Sequence, residues 1–174
     1  MQTTVIAVAG NKDSGKTTTI EVLTKELTKK GYKIAVVKHV FEPNFTIDTK
    51  GKDTWRFAQS GAKIIVSVAS DEIATIEKID ATSLSLQGIF QRCRGVDLVF
   101  VEGFKKLVGK NHDIPKIIAV KSAEDAFKAS KTFEPILAFT GLGSIETLNL
   151  DIPYINLLES GQKIADLVEK NVKK

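Results

Sequence analysis

Between an apolar run, "TVIAVA" at residues 4–9, and an amphipathic stretch that begins at Lys16 stands "GNKDSGKT", and no other feature of the chain limits its fold so sharply. The spacing is G-x-x-x-x-G-K-[ST], which carries meaning only where a strand precedes it and a helix follows. Both are predicted here. Residues 4–9 are apolar and rich in β-branched side chains, and they end at Gly10, the pattern of a buried parallel strand. From Lys16 to about Lys30 the residues Ile20, Leu23 and Leu27 recur at helical spacing, and Gly31 stands where a C-cap glycine belongs. Such a unit gathers free backbone N–H groups and the positive end of a helix dipole at one point, which favours an anion. Gly10 and Gly15 let the loop curl inward, Lys16 reaches toward β- and γ-phosphates, and the Thr17 hydroxyl suits Mg²⁺. Asn11, Lys12, Asp13 and Ser14 fill the variable positions, Lys12 being either a second phosphate cation or a solvated lysine. Nucleoside triphosphate binding is the expectation.

Strand and helix signals then alternate along the chain. "KIAVVKH" reads as a second strand, and residues 40–53, with Pro43, Asn44 and Gly51, read as a long functional loop. A short helix over 54–61 leads to two strands, 62–70 and 72–77, joined tightly enough to run antiparallel. A helix is expected over 83–93 with Gly88 as its weak point, and the most apolar strand of all over 96–103. Strands at 115–120, 135–141 and 153–157 follow, with helices at 123–130 and 158–172. The predicted fold is α/β: a three-layer, mostly parallel sheet of the P-loop NTPase type with helices on both faces and a small antiparallel addition. One domain over 1–174 accommodates it.

Composition narrows the function classes. No apolar run approaches the roughly 18 residues of a spanning helix, and the N-terminus lacks a basic segment before its apolar stretch. A cytoplasmic protein with no membrane partner is expected. Cys93 is the single cysteine, so neither an internal disulfide nor a zinc site of clustered Cys and His is predicted. The net charge of +4 suits an anionic partner, but the lysines are spread along the chain, with small groups such as Lys29, Lys30 and Lys33 or Lys170, Lys173 and Lys174. No nucleic-acid-binding signature accompanies them, and no nucleic-acid partner is expected.

A triphosphate site also needs a carboxylate for its metal, and "DLVFVEG" offers Glu102 at the end of an apolar strand. Its alternative reading is a strand-end carboxylate in solvent. Asp48 and Asp53, in the loop after the second strand, either orient water and metal as a switch segment does or are surface turn residues. The base is left open between guanine and adenine: no N-K-x-D occurs at a later strand, and "AFTGLG" at 138–143 is the candidate surround.

Taken together, "GNKDSGKTT", "VVKHV", "FTIDTKGKDTWRFAQSGA", "VDLVFVEGFK" and "IPKIIAV", in that order, resemble the molybdopterin-guanine dinucleotide biosynthesis protein B (MobB) family. Asp48, Lys52, Asp53, Arg56, Gly61 and Ala62 match its D-x-x-G-K-D-[ST]-x-R-x-x-x-x-G-A pattern. The resemblance implies a GTP-binding accessory protein, a weak Mg²⁺-dependent GTPase and homodimer that works with the guanylyltransferase attaching GMP to molybdopterin, with molybdopterin a further ligand. By position it implies that Gly10, Gly15, Lys16, Thr17 and the adjoining Thr18 cradle phosphates and Mg²⁺. It likewise implies that Glu102 and Gly103 form the metal-side motif and that Asp48, Lys52, Asp53 and Arg56 line the neighbouring cleft. Lys105, Lys106 and Lys116 are read as cations following strands near the site. The chain departs from the family at Val40, Phe41 and Glu42, where many members carry histidines, and at Lys50, where they carry proline. Two other classes are a small-metabolite kinase, for which Arg56, Arg92 and Arg94 are few arginines, and a metal-insertion GTPase, for which Cys and His clusters are lacking.

Overall fold

The computed structural model describes residues 3–80, 84–145 and 151–172. Ser83, the expected start of the third helix, and Lys173 and Lys174 lie outside the described residues. The elements are β1 (Thr4–Gly10), α1 (Lys16–Lys29), β2 (Ile34–Lys38), α2 (Asp53–Gln59), β3 (Ile64–Val68), β4 (Ile73–Glu77) and α3 (Leu86–Phe90), followed by β5 (Leu98–Glu102), α4 (Lys105–Val108), β6 (Lys116–Ala119), α5 (Ala123–Ser130), β7 (Ile136–Gly141), β8 (Tyr154–Asn156) and α6 (Leu157–Glu169). They fall into two compact units, one of Met1–His39 with Phe90–Lys174 and one of Val40–Ile89.

The first unit is built on a six-stranded sheet in the order β2-β5-β1-β6-β7-β8, parallel at every pairing. Its central strands are apolar on both faces because helices cover both. Val8 lies opposite Ile117, and Ala9 opposite Ile118, so successive residues divide between two cores. Ile6, Val8, Leu98, Phe100 and Ile117 pack with Ile20, Leu23 and Leu27 of α1 and Ile164 and Val168 of α6. Ala9, Ile118, Val120 and Phe139 pack on the other side with Ala126 of α5 and Phe133. Leu23 and Leu27 are fully buried, each contributing about 1.5–3 kcal/mol. The absence of a side chain at Gly161 lets α6 approach α1, since a Cβ there would come within 2.8 Å of Val22 Cγ1. Lys30 completes that helix pair through Asp166 at 2.7 Å and Glu169 at 2.5 Å.

The second unit contains α2 and the two-stranded antiparallel sheet of β3 and β4. Ile65 and its cross-strand partner Ile76 occupy one face, where Ile65 is buried. On the other face Ile64, Val66, Val68 and Ile73 are all exposed. Among the described residues no helix is long and apolar enough to cross a membrane.

The α/β architecture with its antiparallel addition is as the sequence predicts. The expected helix over 83–93 shrinks to Leu86–Phe90, because Gly88 weakens it and none of its residues is buried. The single turn of α4 is an addition to the predicted elements; it starts after Phe104, whose φ of 52° breaks the chain direction.

Candidate functional site

Because β1, β5 and β6 are parallel, their carboxyl ends reach one edge of the sheet, and their register decides what meets there. Gly10 pairs with Ala119, and Glu102 pairs with Val8 on one side and Lys38 on the other. Leu98, Phe100 and Glu102 alternate onto the face that α1 covers. The first turn of α1 therefore stands over Glu102: Thr17 Oγ1 donates to Glu102 Oε2 at 3.4 Å. Lys38 Nζ lies 3.6 Å from Glu102 Oε1. Residues 12–18 with Lys38, Glu102 and Leu142 line a cleft of about 430 Å³.

The loop entering this cleft is shaped by its glycines. Gly10 has φ 148°, and a Cβ there would sit 2.2 Å from the Ala119 carbonyl oxygen. Gly15, at φ 93°, is the N-cap of α1 and has no side chain to cap the helix, and the first turn contains no acidic residue. The opening N–H groups of α1 have no partner within the helix, and its positive end is uncompensated, an arrangement that attracts anions. Lys16 folds back so that Nζ donates to the Asn11 carbonyl at 2.6 Å, and the buried Ser14 hydroxyl donates to the same oxygen at 2.9 Å. The Asn11 side chain is itself held, with Nδ2 donating to Asp125 Oδ1 at 3.0 Å. Thr17 and Glu102 offer oxygen ligands only, the donor type that Mg²⁺ prefers.

A second cavity of about 210 Å³ adjoins the loop, walled by Asp13, Ser14, Lys121, Leu142, Gly143 and Tyr154 among others. Leu142 and Gly143 belong to the 138–143 segment that the sequence offers as a base surround. The Tyr154 hydroxyl donates to the Gly143 carbonyl, and burial pushes its phenol above the ordinary value.

Of the other sequence-derived candidates, Gly103 follows Glu102 at φ 94°, where a Cβ would come 2.8 Å from His39 Cβ. The His39 ring stacks on Phe104 with centroids 4.6 Å apart. Asp48, Lys52, Asp53 and Arg56 belong to the second unit. There Asp48 Oδ1 accepts from Thr49 N and from Thr54 Oγ1, both at 2.8 Å. Lys52 is the N-cap of α2, and Arg56 lies 3.6 Å from Asp53 on the exposed side of that helix. Lys116 requires a correction. It begins β6 instead of following a strand, is fully buried, and donates from Nζ to the Asn111 and Glu134 carbonyls, each at 2.5 Å. Burial lowers its pKa, and its ammonium ties two loops at the far edge of the sheet. Lys105 lies with Nζ over the Phe133 ring, 5.6 Å from its centroid. Lys38, Lys121 and Asp125 are additions that sequence reasoning misses; the signals for Lys38 are its place at the end of an apolar strand and within the "VVKHV" segment.

The family model for molybdopterin guanine dinucleotide synthesis protein B, MobB, matches residues 5–140. The chain belongs to the MobB family. A relative from Methanocaldococcus jannaschii is 39% identical over 122 residues, covering 69% of this chain and 48% of its own length. The molybdopterin-guanine dinucleotide biosynthesis adapter protein of Haemophilus influenzae is 34% identical over 119 residues, covering 67% and 63%. The chain thus spans about half to just under two thirds of these curated relatives. A crystal structure of molybdopterin-guanine biosynthesis protein B superposes with a TM-score of 0.73 at 26% identity, covering 98% of this chain and 99% of that one. Bacillus subtilis MobB, at 21% identity over 98% of both chains, shares the fold with a TM-score of 0.74.

Proposed function

We propose that this MobB-family chain binds GTP with Mg²⁺ through its Gly10–Thr17 loop, hydrolyses it slowly, and serves as an accessory protein to the guanylyltransferase that attaches GMP to molybdopterin. The observation that carries the nucleotide reading is the helix mouth at Lys16–Thr18, uncapped, free of acidic residues and open to a cleft that Lys12, Lys16 and Lys38 border. Membership of the family supports the place in cofactor biosynthesis.

In this reading the polyphosphate lies against the opening N–H groups of α1. Lys16 exchanges the Asn11 carbonyl for phosphate oxygens, a charge-assisted bond in place of a neutral acceptor. Thr17 and Glu102 are the residues that would hold Mg²⁺, which when bound neutralises the phosphate charge during transfer. Lys38, with Nζ 3.6 Å from Glu102 Oε1, orients that carboxylate for the task. The nucleoside extends toward the cavity of Lys121, Gly143 and Tyr154. Pairing of two copies is assigned to the second unit, where the outward face of β3 and β4 exposes Ile64, Val66, Val68 and Ile73.

Calorimetric titration with GTP and ATP, with and without Mg²⁺, tests the reading. GTP binds the wild type more tightly with Mg²⁺ than without it, and Glu102→Ala loses that metal dependence. Lys16→Ala forfeits a bond to a charged group of about 1.5–3 kcal/mol, a ten- to hundredfold weaker affinity. Equal GTP affinity in wild type and Lys16→Ala would remove the phosphate assignment, and a preference for ATP would remove the guanine one.

A further inference from the structure

We propose that Asp125 is a positioning residue for the nucleotide, fastening the phosphate loop and the wall of the neighbouring cavity to one carboxylate so that the two halves of the ligand are held in register. This rests on the nucleotide reading above. Asp125 lines neither cavity, so it acts through the groups it holds. Its Oδ1 accepts from Asn11 Nδ2 at 3.0 Å, and its Oδ2 accepts from the Lys121 backbone N–H at 3.3 Å. Asn11 leaves the sheet after β1 and Lys121 after β6. These strands are neighbours with Gly10 opposite Ala119, which is why one side chain can reach both.

The Asn11 peptide is also the hub of the loop, since its carbonyl takes Lys16 Nζ and Ser14 Oγ. Holding the Asn11 side chain therefore fixes the peptide from which Lys16 must swing to meet a phosphate. Lys121, with Ser14 and Asp13 from the loop itself, walls the second cavity. A carboxylate suits this double duty because both of its oxygens accept, whereas an amide at the same place accepts through only one. The capping bond of α5 is separate: Ser122 Oγ accepts from the backbone N–H of residue 125, at 3.1 Å, and that bond survives removal of the Asp125 side chain.

The experiment titrates inorganic tripolyphosphate and GTP, both with Mg²⁺, into wild type, Asn11→Ala, Asp125→Ala and the double variant, with thermal midpoints recorded for each. Asn11→Ala is expected to weaken both ligands by a similar factor, about fivefold for one lost bond at a solvent-exposed position. Asp125→Ala is expected to weaken tripolyphosphate as much as Asn11→Ala does, and GTP several-fold more, because the Lys121 wall is released as well. The double variant should match Asp125→Ala alone. A merely structural role would change the thermal midpoint and leave the ratio of the two affinities as it is in the wild type. Asp125→Ala with wild-type affinity for both ligands, equal losses for both, or full additivity with Asn11→Ala would each overturn the proposal. Asp125→Leu, which keeps side-chain bulk and offers no acceptor at all, repeats the comparison should the alanine variant not fold, with the same ratio deciding. A wild type that binds neither ligand would instead overturn the nucleotide reading itself.

Discussion

Replacing Gly10 by alanine should be far more damaging than the same change at two other glycines of positive φ, and the structure gives the reason for each. At Gly31, φ is 89° and nothing lies within 4 Å of the position a Cβ would take, so only backbone strain is added, about 1–2 kcal/mol. At Gly15, φ is 93° and the new atom meets Leu142 Cγ at 3.3 Å, a flexible side chain that can give way; the cost is about 1–3 kcal/mol. At Gly10, φ is 148° and the atom falls 2.2 Å from the Ala119 carbonyl oxygen and 2.6 Å from Ser14 Oγ. The serine hydroxyl can rotate, but Ala119 is fixed in the β1–β6 ladder opposite Gly10. Strain and overpacking together reach about 3–5 kcal/mol. For a chain of this size, that lowers the melting temperature by about 6–20 °C. Urea denaturation of the three variants, with slopes compared to confirm a common unfolding transition, measures the series. A Gly10→Ala midpoint no lower than that of Gly31→Ala would refute the claim that the first loop is wedged against β6.

Lys116→Ala should cost about 3–5 kcal/mol, by opening a cavity and leaving the Asn111 and Glu134 carbonyls without their donor, while nucleotide affinity per folded molecule stays at the wild-type value; denaturation and calorimetry on the same samples separate the two. The Lys30 cluster sets a pH dependence: hydrogen bonding to Lys30 holds Asp166 and Glu169 below ordinary carboxylate values, so their contribution is full above the unfolded-state pKa values of about 4 and is lost as pH falls through the folded ones. Lys30 is raised by the same partners, so its contribution is full below its unfolded value and fades only as pH rises toward the folded one. The difference in melting temperature between wild type and Lys30→Met should thus be constant from about pH 5.5 to 9.5 and shrink below about pH 4; a difference undiminished at about pH 2 would contradict the assignment.

Residues whose signals are local are legible in the chain. Helix α5 appears at the expected 123–130 because Ser122 caps it in the ordinary way, and β5 because Leu98–Val101 form one uninterrupted apolar run. Gly10, Gly15, Lys16 and Thr17 carry their geometry in their spacing, and Glu102 joins them because parallel strands end at a common edge. What sequence does not disclose depends on strand order and register. Lys38 meets Glu102 only because β2 lies beside β5, and Asp125 meets Asn11 only because β6 lies beside β1, across 114 residues of chain. Lys116 departs from its expected role for the same reason: its place at the start of a strand puts it at the wrong edge, and burial there demands carbonyl partners in place of phosphate. Helix α4 is too short to show a period.

The most direct measurement is a crystal structure of the chain with Mg²⁺ and a non-hydrolysable GTP analogue. The expected map has phosphates against the N–H groups of residues 13–18, Lys16 Nζ moved from the Asn11 carbonyl onto a phosphate oxygen, and the metal beside Thr17 and Glu102. Lys16 still bound to Asn11 in crystals where the analogue is absent from the cleft, or seated elsewhere on the chain, would contradict it.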